Sequence, residues 1–76
     1  VKAHLKNHSS AIADYTKAIQ IAPNKAYLYN NRGISRSLLE NHYLAIADFT
    51  KAIEIDSSNF GAYVQIVLLK DLNIND

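Results

Sequence analysis

The sequence predicts an all-α fold in which antiparallel helix pairs stack side by side. Three observations predict it. Residues 7–21, NHSSAIADYTKAIQI, return as residues 41–55, NHYLAIADFTKAIEI, at a constant offset of 34, with 11 of 15 positions identical and Tyr15 matched by another aromatic, Phe49. Recurrence at such an interval marks an array whose units bury their apolar faces against one another. Each copy also spaces its apolar residues as a helix does. The connections between helical segments are two to four residues long, so successive helices must be antiparallel neighbours.

In chain order, residues 1–6 read as a helix stub and residues 8–22 as the first full helix. At 100° per residue, Ala11, Ile12, Tyr15, Ala18, Ile19 and Ala22 fall within a stripe of about 120°, with Asp14, Thr16, Lys17 and Gln20 outside it. Alanines on the stripe let a neighbouring backbone come close, and the aromatic one turn later fills the space beside them. Pro23 and Asn24 mark the start of a helix over residues 25–40, since proline is tolerated in a first turn and asparagine caps well. Asn41 ends it. That helix is apolar on three faces: Ala26, Tyr29 and Gly33 on one, Tyr27, Ile34 and Leu38 with Asn31 on a second, Leu28 and Leu39 on a third. It is therefore expected to touch neighbours on several sides. The second copy, near residues 42–56, places Ala45, Ile46, Phe49, Ala52 and Ile53 as the first does. Ser57, Ser58 and Asn59 are turn and cap residues, a helix follows over residues 59–72, and the polar end from Asn73 to Asp76 is expected to fray.

Length and composition narrow the function classes. The chain has 76 residues, 8 basic and 7 acidic, for a net charge of +1. That balance gives no footprint for nucleic acid or an anionic membrane surface. The longest apolar run, Ile66 to Leu69, is far short of the roughly 20 residues of a membrane-spanning helix. There is no signal peptide and no starting methionine, so the chain reads as a processed or excised segment, with the cytoplasm the expected compartment. With no cysteine, neither disulfides nor thiolate metal sites can staple so short a chain, and regular helix packing or association with more chain must stabilise it.

A 34-residue period of paired helices resembles the tetratricopeptide repeat (TPR) family. The matching residues are Tyr29 and Gly33 in the first helix of the pair and Ala45, Phe49 and Ala52 in the second, with Ala11, Tyr15, Ala18 and Pro23 in the preceding copy. By that resemblance residues 1–25 are the second part of one repeat, 26–59 a complete repeat, and 60–76 the first helix of a third or a capping helix. Three positions depart from the pattern: Arg32 stands for a leucine, Ser57 for a proline and Val67 for a glycine. Residues 60–76 lack the second helix of their repeat, which leaves Ile66, Val67 and Leu69 as candidate exposed apolar surface.

The resemblance implies a right-handed α-solenoid whose concave surface holds an extended peptide or a helix, in a scaffold or adaptor with no cofactor. Carried over by position, the lining is Tyr27, Asn30, Asn31, Ile34, Ser37 and Leu38, continued by Gly61, Val64, Gln65, Leu68 and Leu72. Carboxamides both donate to and accept from a peptide backbone, and the apolar members can bury ligand side chains. The alternative is that these apolar residues only pack against further helices. Some relatives clamp acidic C-termini through an asparagine followed by lysine and arginine. Asn31 matches the asparagine, but Gly61 and Gln65 occupy the cationic positions, which argues against such a ligand. The partner is expected to be a protein or peptide, not nucleic acid or membrane. Self-association as a homo-oligomer through the incomplete third repeat, or service as a regulatory appendage of a larger enzyme, are the competing readings.

Nothing points to chemistry within the chain. His4 and His8 have metal-like spacing, but a repeat boundary at Asn7 is expected to put them on different segments, and no third ligand is near. His42 is the repeat equivalent of His8. Asp14 with Lys17, and Asp48 with Lys51, read as surface pairs worth a few tenths of a kcal/mol. Asn7-His8-Ser9 fits a glycosylation sequon, which matters only in a secreted protein. No nucleophile and base can be paired, so no catalytic residue is assigned.

Overall fold

A computed structural model describes the backbone of residues 2–74 and the side chains of residues 7–70. Four helices follow one another: α1 (Lys2–Ile21), α2 (Ala26–Leu38), α3 (His42–Ile55) and α4 (Phe60–Ile74), with no strand among the described residues. The extensive contacts join consecutive helices, α1 to α2, α2 to α3 and α3 to α4. The resulting slab measures 37 × 32 × 15 Å. Its thin dimension is little more than one helix diameter of about 10–12 Å, so every helix keeps a large exposed face.

The core sits between α2, α3 and α4. Ala45, Phe49 and Ala52 of α3 are fully buried, with Tyr29 of α2 and Ala62 and Leu69 of α4 completing the cluster. Alanines one and two turns apart let α2 and α3 approach until Gly33 lies under the Phe49 ring. A Cβ on Gly33 would stand 2.8 Å from Phe49 Cε1. The same stripe on α1 (Ala11, Tyr15, Ala18) is only half-buried, because among the described residues α1 packs extensively on α2 while α3 has a helix on each side.

The turns follow local hydrogen bonding and correct the sequence reading in several places. The stub and the first helix are one: α1 is continuous through Asn7, so His4 and His8 share a helix, and the sequon lies within it. The His4 side chain lies outside the described residues. Residues 5–7 are helical although their repeat equivalents, 39–41, form the α2–α3 turn. Asn24 does not cap α2; it falls one residue early, in the turn, and Lys25 takes the cap position with no side-chain bond. Nor does Asn41 close α2. Glu40 takes the left-handed backbone there, at φ 63°. The Glu40 N–H donates to the Ser37 carbonyl and the Asn41 N–H to the Arg36 carbonyl, both at 2.9 Å. That is the Schellman closure, here without its usual glycine. Before α4, Asp56 Oδ1 accepts from the Ser58 hydroxyl and N–H at 2.6 and 3.1 Å, and Asn59 Oδ1 caps α4 by accepting from the Ala62 N–H at 3.2 Å. Asn59 thus acts as the cap expected of it. Helix α4 runs on to Ile74, two turns beyond Val67, so Asn73 belongs to the helix rather than to a frayed end; residues 75 and 76 lie outside the described residues.

Candidate functional site

Helix α3 is flanked by α2 and α4. The face under consideration is the one that α2 and α4 turn away from α3. On α2, Tyr27 and Leu38 are 61% and 56% exposed, and on α4 Val64 and Leu68 are 55% and 53% exposed. Four large apolar side chains more than half in water are costly to leave uncovered, at about 25 cal/mol per Å² of apolar surface. Ile34 reaches partly into the core, while Asn31, Ser37 and Gln65 are half-buried and Gly61 is exposed. The Ser37 hydroxyl is turned back onto its own helix, donating to the Ile34 carbonyl at 2.9 Å. Asn30 Oδ1 is buried and has no hydrogen-bond partner among the described residues. The Leu72 side chain lies outside the described residues. No enclosed cavity opens among the described residues, so this face is a shallow surface.

The apolar surface expected to be exposed at Ile66, Val67 and Leu69 is divided by the structure. Leu69 is 4% exposed and Ile66 packs against the core, because with Ala62 they form the stripe that α4 lays on α3. Val67 alone of the three is exposed, on a separate stripe with Phe60 and Tyr63.

The main feature that sequence reasoning missed is ionic. Asp48 is not a surface residue paired with Lys51. It is buried at the α2–α3 contact, where Arg32 grips it with two bonds, Nε to Oδ2 at 2.9 Å and Nη2 to Oδ1 at 2.7 Å. Arg36 adds a third bond, Nη1 to Oδ2 at 2.9 Å. The side chains of Asp48, Arg32 and Arg36 are 4%, 13% and 18% exposed. Hydrogen bonding to Asp48 pushes the Arg32 guanidinium above its ordinary pKa, against desolvation by burial, with further help from the charge of Asp48 and from Tyr29. Arg32 also lies 5.7 Å from the Tyr29 ring centre and donates to Thr16 Oγ1 at 3.2 Å, so one side chain ties α1, α2 and α3 together. Thr16 in turn donates to the Ile12 carbonyl at 2.7 Å.

The departure at Arg32 is thereby explained: where the repeat pattern has leucine, this chain has a charge matched to Asp48. The sequence did carry a signal. Arg32 and Arg36 are one turn apart and so share a face of α2, and Asp48 sits one turn from both Ala45 and Ala52, at the edge of the buried stripe. Lys51 pairs instead with Glu54, at 3.8 Å. Asp14, the equivalent of Asp48 on α1, is exposed and forms no ion pair with Lys17 or with any other described residue. No group of three His, Asp or Glu side chains converges among the described residues, and no helix there is long and apolar enough to cross a membrane.

Consecutive antiparallel helices with a duplicated packing stripe and an open, shallow face define a helical-repeat protein. A family model for the tetratricopeptide repeat matches residues 26–59 and a second with the same description matches residues 1–25. The chain belongs to the tetratricopeptide repeat family, whose members generally mediate protein–protein interaction as non-catalytic scaffolds. No individual curated protein matches the chain at a significant level.

Proposed function

We propose that this chain is a non-catalytic scaffold or adaptor module that binds a peptide or helix of a partner protein on the face lined by α2 and α4. The observation that supports this most is the exposure of Tyr27 and Leu38 on α2 and of Val64 and Leu68 on α4, two helices held by the same neighbour. The mechanism is preorganisation. Side chains on packed helices have lost most of their freedom before the ligand arrives, so binding sacrifices less entropy. In this reading residues 1–25 and 26–59 are a partial and a complete repeat, and α4 opens a further repeat or caps the array.

The test is capture of partner proteins by the chain and by a Tyr27→Ala, Asn31→Ala, Leu38→Ala variant. Two of these positions are exposed and the third half-buried, so the variant is expected to keep the helical circular dichroism of the parent while losing its partners. A folded variant that retains the same proteins at the same level refutes the assignment. A second reading, self-association through α4, draws on the exposed stripe Phe60, Tyr63 and Val67. Solution mass measured over a range of concentrations separates the two, since only self-association makes the mass rise with concentration.

A further inference from the structure

We infer that copies of this chain join end to end, the open side of α4 in one copy covering the open side of α1 in the next. The joint lies apart from the binding face proposed above. It rests on the self-association reading and gives it a second surface and a symmetry.

The α2–α3 contact is made of two stripes. Helix α2 brings Ala26, Tyr29 and Gly33, with Arg36 on Asp48, and α3 brings Ala45, Phe49 and Ala52, with Ile55 half-buried beside them. Counted 34 residues on, the α2 stripe becomes Phe60, Tyr63, Val67 and Lys70 of α4. The first three are 75%, 44% and 58% exposed, and Lys70 is exposed as well. Counted 34 back, the α3 stripe becomes Ala11, Asp14, Tyr15, Ala18 and Ile21 of α1. There Asp14 is exposed where Asp48 is 3% exposed, and Ile21 is 86% exposed. Packing supports the same count on α4. Leu28 is buried yet lies outside the core cluster between α2, α3 and α4, which leaves α1 to cover it, and Arg32 reaches Thr16 of α1. Their counterparts, Ala62 and Ile66, are the residues that α4 lays on α3. The side of α4 left open is therefore the side that α2 turns to α3.

One chain thus holds a complete contact and both halves of another. Helices α1 and α4 have α2 and α3 between them and make no extensive contact, so the two halves meet only between chains. They match in charge: Lys70 comes to Asp14 as Arg36 comes to Asp48. They match in apolar surface too. In an antiparallel pairing the start of α4 meets the end of α1, which sets Phe60 beside Ile21, two of the most exposed apolar residues of the chain. Val67 stands where Gly33 does, so the joint closes less far than the α2–α3 contact, and Phe60 in place of Ala26 fills the wider gap. Because the joined faces differ, each added copy leaves the same open ends, and growth does not stop at two.

The experiment is sedimentation equilibrium of the 76-residue chain at concentrations up to about millimolar. The mass is expected to rise with concentration past that of two chains. Asp14→Lys and Lys70→Asp each set like charges against one another at the joint and are expected to weaken association at least about tenfold. Both residues are exposed, so each variant is expected to keep the helical circular dichroism of the parent. An equimolar mixture of the two variants is expected to regain association, because one is positive at both ends and the other negative at both. A mass that stays at one chain overturns the joint and the self-association reading together. A mass that levels off at two chains, or a mixture no heavier than its separate parts, overturns the joint of α4 with α1 and leaves pairing through α4 alone.

Discussion

Replacing Asp48 by asparagine exchanges one carboxylate oxygen for an amide nitrogen and changes almost no volume, yet it removes the negative charge that holds two arginines at the α2–α3 contact. Three charge-assisted bonds of 2.7–2.9 Å converge on that carboxylate. Breaking one side of such a buried pair costs about 3–5 kcal/mol, because the partner charges are left desolvated. Arg32 and Arg36 retain 13% and 18% exposure and can recover some hydration, which places Asp48→Asn at the lower end, about 3 kcal/mol. A domain of this length is stable by only about 4–11 kcal/mol in total, so the loss is a large fraction. Urea denaturation followed by far-ultraviolet circular dichroism measures it directly, with the midpoint expected to fall by about 3 M if the slope is near 1 kcal/mol per M. A loss below about 0.5 kcal/mol is the behaviour of an exposed pair and would refute the buried-network argument. The complementary variant replaces all three residues together, Asp48→Leu with Arg32→Leu and Arg36→Met. It removes every charge at once and is expected to be neutral or stabilising rather than additive.

Three further outcomes follow from the packing and the turns. Gly33→Ala adds a methyl 2.8–3.1 Å from three atoms of the fully buried Phe49 ring, and a net destabilisation of about 1–2 kcal/mol is expected despite the better helix propensity of alanine; a stabilised variant in the same denaturation assay contradicts the close approach. Glu40→Gly relieves the left-handed backbone at the end of α2 and is expected to raise stability by about 0.5–1 kcal/mol, whereas a loss would show that the Schellman turn is not formed. The bonds from Ser58 hold the Asp56 carboxylate below its ordinary value of 3.8, so the contribution is present above that pH and is lost as pH falls through the lowered folded-state value. Ser58→Ala should move the Asp56 titration upward in carbon-detected NMR, and an unmoved midpoint would dissolve the proposed turn.

What could be read from the residues was whatever repeats or recurs at helical spacing. Two 15-residue near-copies 34 apart require two equivalent helices, and an intervening segment with Tyr29 and Gly33 on one face requires a third between them. The period also brought out the packing alanines and Phe49, because a small-small-aromatic stripe has few other uses. The exposed face of Tyr27, Leu38, Val64 and Leu68 was legible only through the family resemblance, since periodicity marks a residue as apolar without saying whether a neighbour covers it. Leu69 shows the limit: it sits in the same apolar run as Val67, yet one is buried and the other open, because α4 meets α3 along a single stripe.

The amino-acid order by itself determined the helices, their antiparallel succession and the core between the second and third, since these depend on spacing along one chain. Tertiary structure decided the state of the charges. Asp48 and Lys51 are three residues apart and look like a surface pair, but the approach of α2, permitted by Gly33 and the alanines, carries Arg32 and Arg36 to Asp48 and shields most of all three from water. The same chemistry leaves Asp14 in solvent, because no arginine-bearing helix faces it among the described residues. Whether a charge is buried depends on the helix across from it, and the local sequence does not contain that helix.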